Sequence, residues 1–182
     1  MSSSLEQMYQ QVILDHAKSP HGRGFVELSE GHLHGESHQI NPTCGDEVTM
    51  RVEFDTADPQ SPTISSVSWE GQGCSISQAS LSVLTDLVTG APVAESEHLG
   101  DVFRQLMQSR GKGLDDDLED QLGDATAFTG VAQFPARIKC ALLGWAALRD
   151  TLATSGVLTD AHSTQQPALD QTTSPQSPQE NR

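Results

Sequence analysis

The chain has 182 residues and a mass of 19.5 kDa, which suits one domain with some tail and leaves no room for two. Ten Lys and Arg against 25 Asp and Glu give a formal charge of −15, and that balance excludes the basic face needed by nucleic-acid phosphates or an anionic membrane surface. No apolar run nears the roughly 20 residues that span a bilayer, and the segment MSSSLEQMYQ lacks the basic-then-apolar order of a secretory signal. A soluble, cytoplasmic protein that binds neither nucleic acid nor membrane is therefore expected.

Leu5, Met8, Tyr9, Val12 and Ile13 recur at helical spacing and predict a helix over 5–17, ending near Ser19-Pro20. Val48, Met50, Val52 and Phe54 then alternate with polar residues, the pattern of a half-buried strand. Asp58-Pro59-Gln60-Ser61-Pro62 is a turn, and Ile64 to Trp69 is the return strand. Its apolar phase slips between Ile64 and Val67, which predicts a bulge. A third strand over 32–40 would complete a small antiparallel sheet. From residue 75 the period becomes helical, over 75–89 and again over 95–108. The acidic run Asp115-Asp116-Asp117-Leu118-Glu119-Asp120 reads as a solvated loop or helix face. Phe134-Pro135 opens a long helix carrying Ile138, Ala141, Leu142, Trp145 and Leu148, with proline at a favoured first position. The fold class is α+β, a small antiparallel sheet followed by a helical half. Residues 1–154 form the domain, and 155–182, dominated toward the end by Gln, Pro, Ser and Thr, read as a disordered tail.

Three cysteines, Cys44, Cys74 and Cys140, are an odd number and a poor disulfide framework. Small buried core residues are one explanation for them. Two of the three, however, sit in glycine-bearing turns, Pro42-Thr43-Cys44-Gly45-Asp46 and Gly71-Gln72-Gly73-Cys74, where core cysteines are seldom placed. Three thiolates leave a tetrahedral ion one ligand short, and Asp46, two residues beyond Cys44, is a candidate for the fourth. A turn aspartate that caps its own backbone is the commoner use of such a residue. Three sulfurs and one carboxylate oxygen nonetheless satisfy tetrahedral Zn²⁺, and the single hard oxygen makes the site easier to open.

Four segments together resemble the IscU/SufU family of iron–sulfur cluster assembly proteins. They are Asp15-His16-Ala17-Lys18-Ser19-Pro20, Asn41-Pro42-Thr43-Cys44-Gly45-Asp46, Glu70-Gly71-Gln72-Gly73-Cys74-Ser75-Ile76-Ser77 and Phe134-Pro135-Ala136-Arg137-Ile138-Lys139-Cys140. The resemblance covers about residues 5–151 and implies the fold of IscU and the NifU N-terminal domain. Scaffolds of the IscU type have a histidine immediately before the third cysteine and a shorter interval between the second and third. Here that position is Lys139, and 66 positions separate Cys74 from Cys140. Both features are similar to the SufU branch. What the resemblance implies is a zinc-dependent sulfurtransferase working with a SufS-type cysteine desulfurase and passing sulfur to a downstream iron–sulfur scaffold or acceptor protein. Its implied zinc ligands are Cys44, Asp46, Cys74 and Cys140, with Cys44 the sulfur-accepting, catalytic thiol. A partner histidine is implied to take the coordination place that Cys44 vacates. The alternative is a scaffold that assembles and transfers a transient [2Fe–2S] cluster.

Arg137 and Lys139 flank the ligands at the start of the last helix, where cations suit a site of net negative charge, as neighbours of a ligand or as partner contacts. His16, in the Asp-His-x-Lys-x-Pro segment, is a third candidate partner contact. His32, His34 and His38 form a loose histidine-rich stretch without a matching carboxylate–cysteine context.

Overall fold

The computed structural model describes residues 4–158. Its centre is β2 (Asp46–Asp55), flanked on either side by antiparallel β1 (Leu33–Asn41) and β3 (Thr63–Gln72). The alternation in β2 places Val48, Met50, Val52 and Phe54 on one face, each at most 1% exposed. Glu53 pairs with Ser66 and Phe54 with Ile64, so Ser65 is the extra residue of a bulge. That bulge lies where the apolar phase of β3 slips, and it keeps both Ile64 and Val67 buried.

Helices cover this face. α1 (Ser4–Lys18) precedes the sheet; α2 (Ser75–Val88), α3 (Val93–Gln108), α4 (Asp116–Leu122) and α5 (Pro135–Thr154) follow it. Pro135 opens α5, as its fixed φ favours. α2 and α5 approach closely because small residues meet between them. Ser80 Oγ donates to the Ala141 carbonyl at 2.6 Å, and a Cβ on Gly144 would strike the Leu81 side chain. Phe103 of α3 stacks on Trp145 of α5 at a centroid distance of 4.9 Å and meets Phe128 edge-on at 5.7 Å.

Between α4 and α5 the chain runs through a 3-10 segment, Gly123–Gln133. It buries Ala125, Ala127, Phe128, Val131 and Ala132. The acidic run is a helix: α4 buries Leu122, its aspartates face water, and the Glu119 carboxylate accepts the Leu114 N–H at 2.9 Å. Val157 is buried among the core residues. The predicted tail beyond residue 158 lies outside the described residues. Among the described residues no helix is long and apolar enough to cross a membrane.

Candidate metal centre

One end of the sheet gathers the three cysteines. Asn41 and Asp46 are cross-strand partners that close the β1–β2 ladder, and residues 42–45 form the turn beyond it. Gly45, at φ +75°, takes the left-handed conformation that returns the chain. Its N–H donates to the Asn41 carbonyl at 2.9 Å, and the Asn41 side-chain oxygen accepts from the Thr43 N–H at 3.1 Å. Cys44 is thereby held out, exposed, at the tip. Cys74 stands in extended conformation between β3 and α2, and Ser77 Oγ donates to its carbonyl at 2.9 Å. Cys140 lies in the first turns of α5, 5% exposed.

The turn brings Cys44 Sγ within 3.3 Å of Cys140 Sγ. One donor atom each from Cys44, Asp46 and Cys140 lie within 4.8 Å of one another. Cys74 stands outside that tight trio, yet its thiol acts on both Asp46 and Cys140, and its backbone N–H donates to Asp46 Oδ1 at 3.1 Å. Asn41 Nδ2 reaches Cys140 Sγ at 3.7 Å. A Cβ on Gly73 would strike Ser77 Oγ and come within 3.0 Å of Asp46 Cγ, so only glycine lets β3 pass the carboxylate this closely.

Burial pushes the Asp46 carboxyl up, but the neighbouring Cys44 and Cys140 thiols, the bond from the Cys74 N–H and the nearby Cys74 thiol outweigh it. The net direction is downward, so Asp46 is a carboxylate. The Cys140 thiol is pushed well up by burial, and its contacts with Cys44, Asp46 and Cys74 add to the shift. Asp46 Oδ1 is engaged by the Cys74 N–H, while Oδ2 is buried with no hydrogen-bond partner. A buried carboxylate oxygen without a partner is costly. A cation bound among the thiols satisfies that oxygen, and the donor set of three sulfurs and one carboxylate fits tetrahedral zinc.

The flanking residues divide. Lys139 is exposed and donates from Nζ to Thr43 Oγ1 at 3.3 Å, which ties α5 to the turn that carries Cys44. Arg137 turns away, its guanidinium 4.6 Å from the centre of the Phe134 ring, and contributes to the wall of an apolar groove between α1 and the start of α5. His16 is not gathered with the thiols; its Nδ1 meets Ser82 Oγ of α2 at 2.7 Å. His32 pairs with Glu53 at 2.9 Å and His38 Nδ1 meets Thr49 Oγ1 at 2.8 Å, so the histidine-rich stretch does not converge on one point. Asn41 and Thr43, which shape the turn, were not singled out from the sequence. The Asn-Pro-Thr that precedes Cys44 is the signal that could have found them.

A family model for the NifU-like N-terminal domain matches residues 8–141. The chain is 38% identical over 153 residues to the iron-sulfur cluster assembly scaffold protein IscU of Streptococcus pyogenes serotype M1, covering 84% of this chain and 87% of that one. It is 37% identical over 152 residues to the zinc-dependent sulfurtransferase SufU of Bacillus subtilis (strain 168), covering 84% and 94%. A crystal structure described as an iron-sulfur cluster assembly scaffold protein for the SUF system, from Fervidobacterium islandicum AW-1, superposes with a TM-score of 0.66 at 32% identity, covering 82% of this chain and 99% of that one. The order of strands and helices, the turn-borne cysteines and these matches agree: the chain belongs to the family of NifU-like N-terminal domains.

Proposed function

We propose that this protein is a zinc-dependent sulfurtransferase of iron–sulfur cluster assembly. In this reading Cys44 accepts persulfide sulfur from a SufS-type cysteine desulfurase and passes it to a downstream scaffold or acceptor protein. The observation that carries it is the pairing of Asp46 Oδ2, buried and without a partner, with thiols of unequal accessibility. Cys140 is anchored in a helix and buried; Cys44 is exposed at the tip of a turn. The ion would be held by Cys44, Asp46, Cys74 and Cys140 and would keep these thiols ionised at neutral pH.

The transfer itself is a thiol exchange. The Cys44 thiolate attacks the outer sulfur of the donor's Cys–S–SH; the new sulfur–sulfur bond forms as the old one breaks. The donor cysteine leaves as a thiolate and Cys44 carries the persulfide, with no net oxidation or reduction. The exposed turn supplies the access this needs, and Lys139, fastened to Thr43, steadies the turn from α5. The name of the Bacillus subtilis relative supports the zinc and the activity.

A second reading, a scaffold that assembles and transfers a [2Fe–2S] cluster, is supported by the name of the Streptococcus relative at similar identity. Lys139 weighs against it. The position before Cys140, histidine in IscU-type scaffolds, here holds an ammonium with no lone pair, which donates to Thr43.

The experiment is sulfide release by a SufS-type desulfurase in the presence of this protein. Stoichiometric zinc after anaerobic purification, and stimulation that disappears in Cys44→Ala, are expected. Undiminished stimulation by Cys44→Ala removes that thiol from the acceptor role. Stable cluster uptake followed by transfer to an apo-acceptor selects the scaffold.

A further inference from the structure

A second convergence of metal-binding side chains lies away from the thiols, where the end of α1 meets the middle of α2. One ligand atom each from His16, His21 and Asp86 lie within 4.8 Å of one another. At 1.5 Å per residue, Ser82 and Asp86 stand roughly 12 and 18 Å further along α2 than Cys74. We propose that His16, His21 and Asp86 form a second cation site, for a borderline first-row divalent ion of the zinc class, independent of the cysteine cluster.

The two rings are already spaced for such an ion. Their centroids are 5.3 Å apart with planes at 65°. Two imidazoles bound at roughly 2.0–2.1 Å to one tetrahedral ion place their ring centres about 5 Å apart. The histidines are also held in place. Ser82 Oγ lies 2.7 Å from His16 Nδ1 and accepts the His21 backbone N–H at 2.8 Å, so one buried hydroxyl orders the His16 ring and the His21 backbone. The other side of the His21 backbone is fixed too: its carbonyl accepts from Trp69 Nε1 at 3.0 Å, in the core. Gly22 follows at φ +74°, pressed so closely on Thr85 that a Cβ would lie 2.8 Å from that side chain. A ligand whose ring is fixed by a neighbouring hydrogen bond, as His16 is by Ser82, binds metal at a reduced ordering cost.

The charge is right as well. His21 Nδ1 lies 2.7 Å and 2.9 Å from the two Asp86 oxygens, a contact made through one shared proton. A cation takes the place of that proton, which moves to the other ring nitrogen. Asp124 adds a second carboxylate, its Oδ2 3.6 Å from His16 Nε2. His21 and Asp86 are about half exposed, so the site is open to ions from solution, whereas His16 is 11% exposed and anchors it. Imidazole and carboxylate together suit zinc and its neighbours and offer no sulfur for a softer ion.

The test uses the full chain with its thiol cluster first loaded with one equivalent of zinc, then titrated with Co²⁺ and followed by calorimetry and visible absorption. The unaltered protein takes up a second equivalent whose spectrum lacks the intense thiolate-to-cobalt charge-transfer band. His21→Ala and Asp86→Ala, at exposed positions that leave the core untouched, each weaken that event at least tenfold, while His38→Ala leaves it unchanged. Absence of a second event, its persistence at full strength in both variants, or an equal loss in His38→Ala overturns the proposal. The sulfur band reports the cysteine cluster alone, so failure there and failure at the histidines are read separately.

Discussion

Replacing Gly73 by alanine tests whether the closeness of β3 to Asp46 builds the thiol site. The added methyl collides with Ser77 Oγ and lies 3.0 Å and 3.2 Å from Asp46 Cγ and Cβ. Ser77 can rotate away, giving up its 2.9 Å bond to the Cys74 carbonyl, a loss of about 1 kcal/mol. Asp46 is 3% exposed, at the end of the central strand, and has nowhere to turn. Displacing it lengthens the charge-assisted bond from the Cys74 N–H, worth about 1.5–3 kcal/mol. The sum is about 2.5–4 kcal/mol. At about 2–4 °C per kcal/mol for a domain near this size, the midpoint of metal-free protein should fall by roughly 5–16 °C. Zinc affinity, measured by competition with a chromophoric chelator, should fall at least tenfold because the carboxylate oxygen is moved. Adding Ser77→Ala removes one of the two collisions but also the same hydrogen bond, so midpoint and zinc affinity should both stay near the Gly73→Ala values. A Gly73→Ala protein with unaltered midpoint and unaltered zinc affinity would refute the close approach as the basis of the site.

Two further outcomes follow from the β1–β2 region. Glu53, 5% exposed, accepts the Ser29 N–H at 2.8 Å and pairs with His32 at 2.9 Å. Bonds from Ser29, then the charge of His32, overcome burial and hold its carboxyl below the usual glutamate range. Because the folded value lies below the unfolded one, this stabilisation is complete above the unfolded value and drains away as pH falls through the folded one. Glu53→Gln should therefore be less stable at pH 7 by about 1–3 kcal/mol, and its urea midpoint should decline less below about pH 4; parallel declines would contradict this. Gly45→Ala places a side chain at φ +75° in open space, so it should cost about 1–2 kcal/mol through backbone strain alone, and a urea midpoint equal to the parent's would count against the turn as described.

Where one chemical signal acts locally, the sequence reveals it. Alternation in residues 48–54 specified β2, and the slip between Ile64 and Val67 located the bulge at Ser65. Cys-Gly-Asp placed Cys44 and Asp46 on one turn, which the structure brings together with Cys140. The segment at 123–133 is not legible because three of its five buried residues are alanines, Ala125, Ala127 and Ala132, which mark an apolar face only weakly. The proximity of His21 to Asp86 could not be read at all, since 65 positions separate them and a loop sets the angle of the ring. His16 stands out by its motif, yet its neighbours, Ser82 of α2 and Asp124 of the 3-10 segment, are brought to it only by the packing of α1 against both elements.

The Asn41–Asp46 pair that closes the β1–β2 ladder has a dynamic consequence. Behind it the strands are knitted into the core; ahead of it only residues 42–45 lie free of the sheet. Swinging the tip outward breaks short local bonds and no ladder rung, so it runs at the nanosecond-to-microsecond pace of loops and not at the pace of global opening. On the proposed reading, a docking protein would peel one sulfur from its companions as a latch is lifted, while the frame that holds the others stays shut.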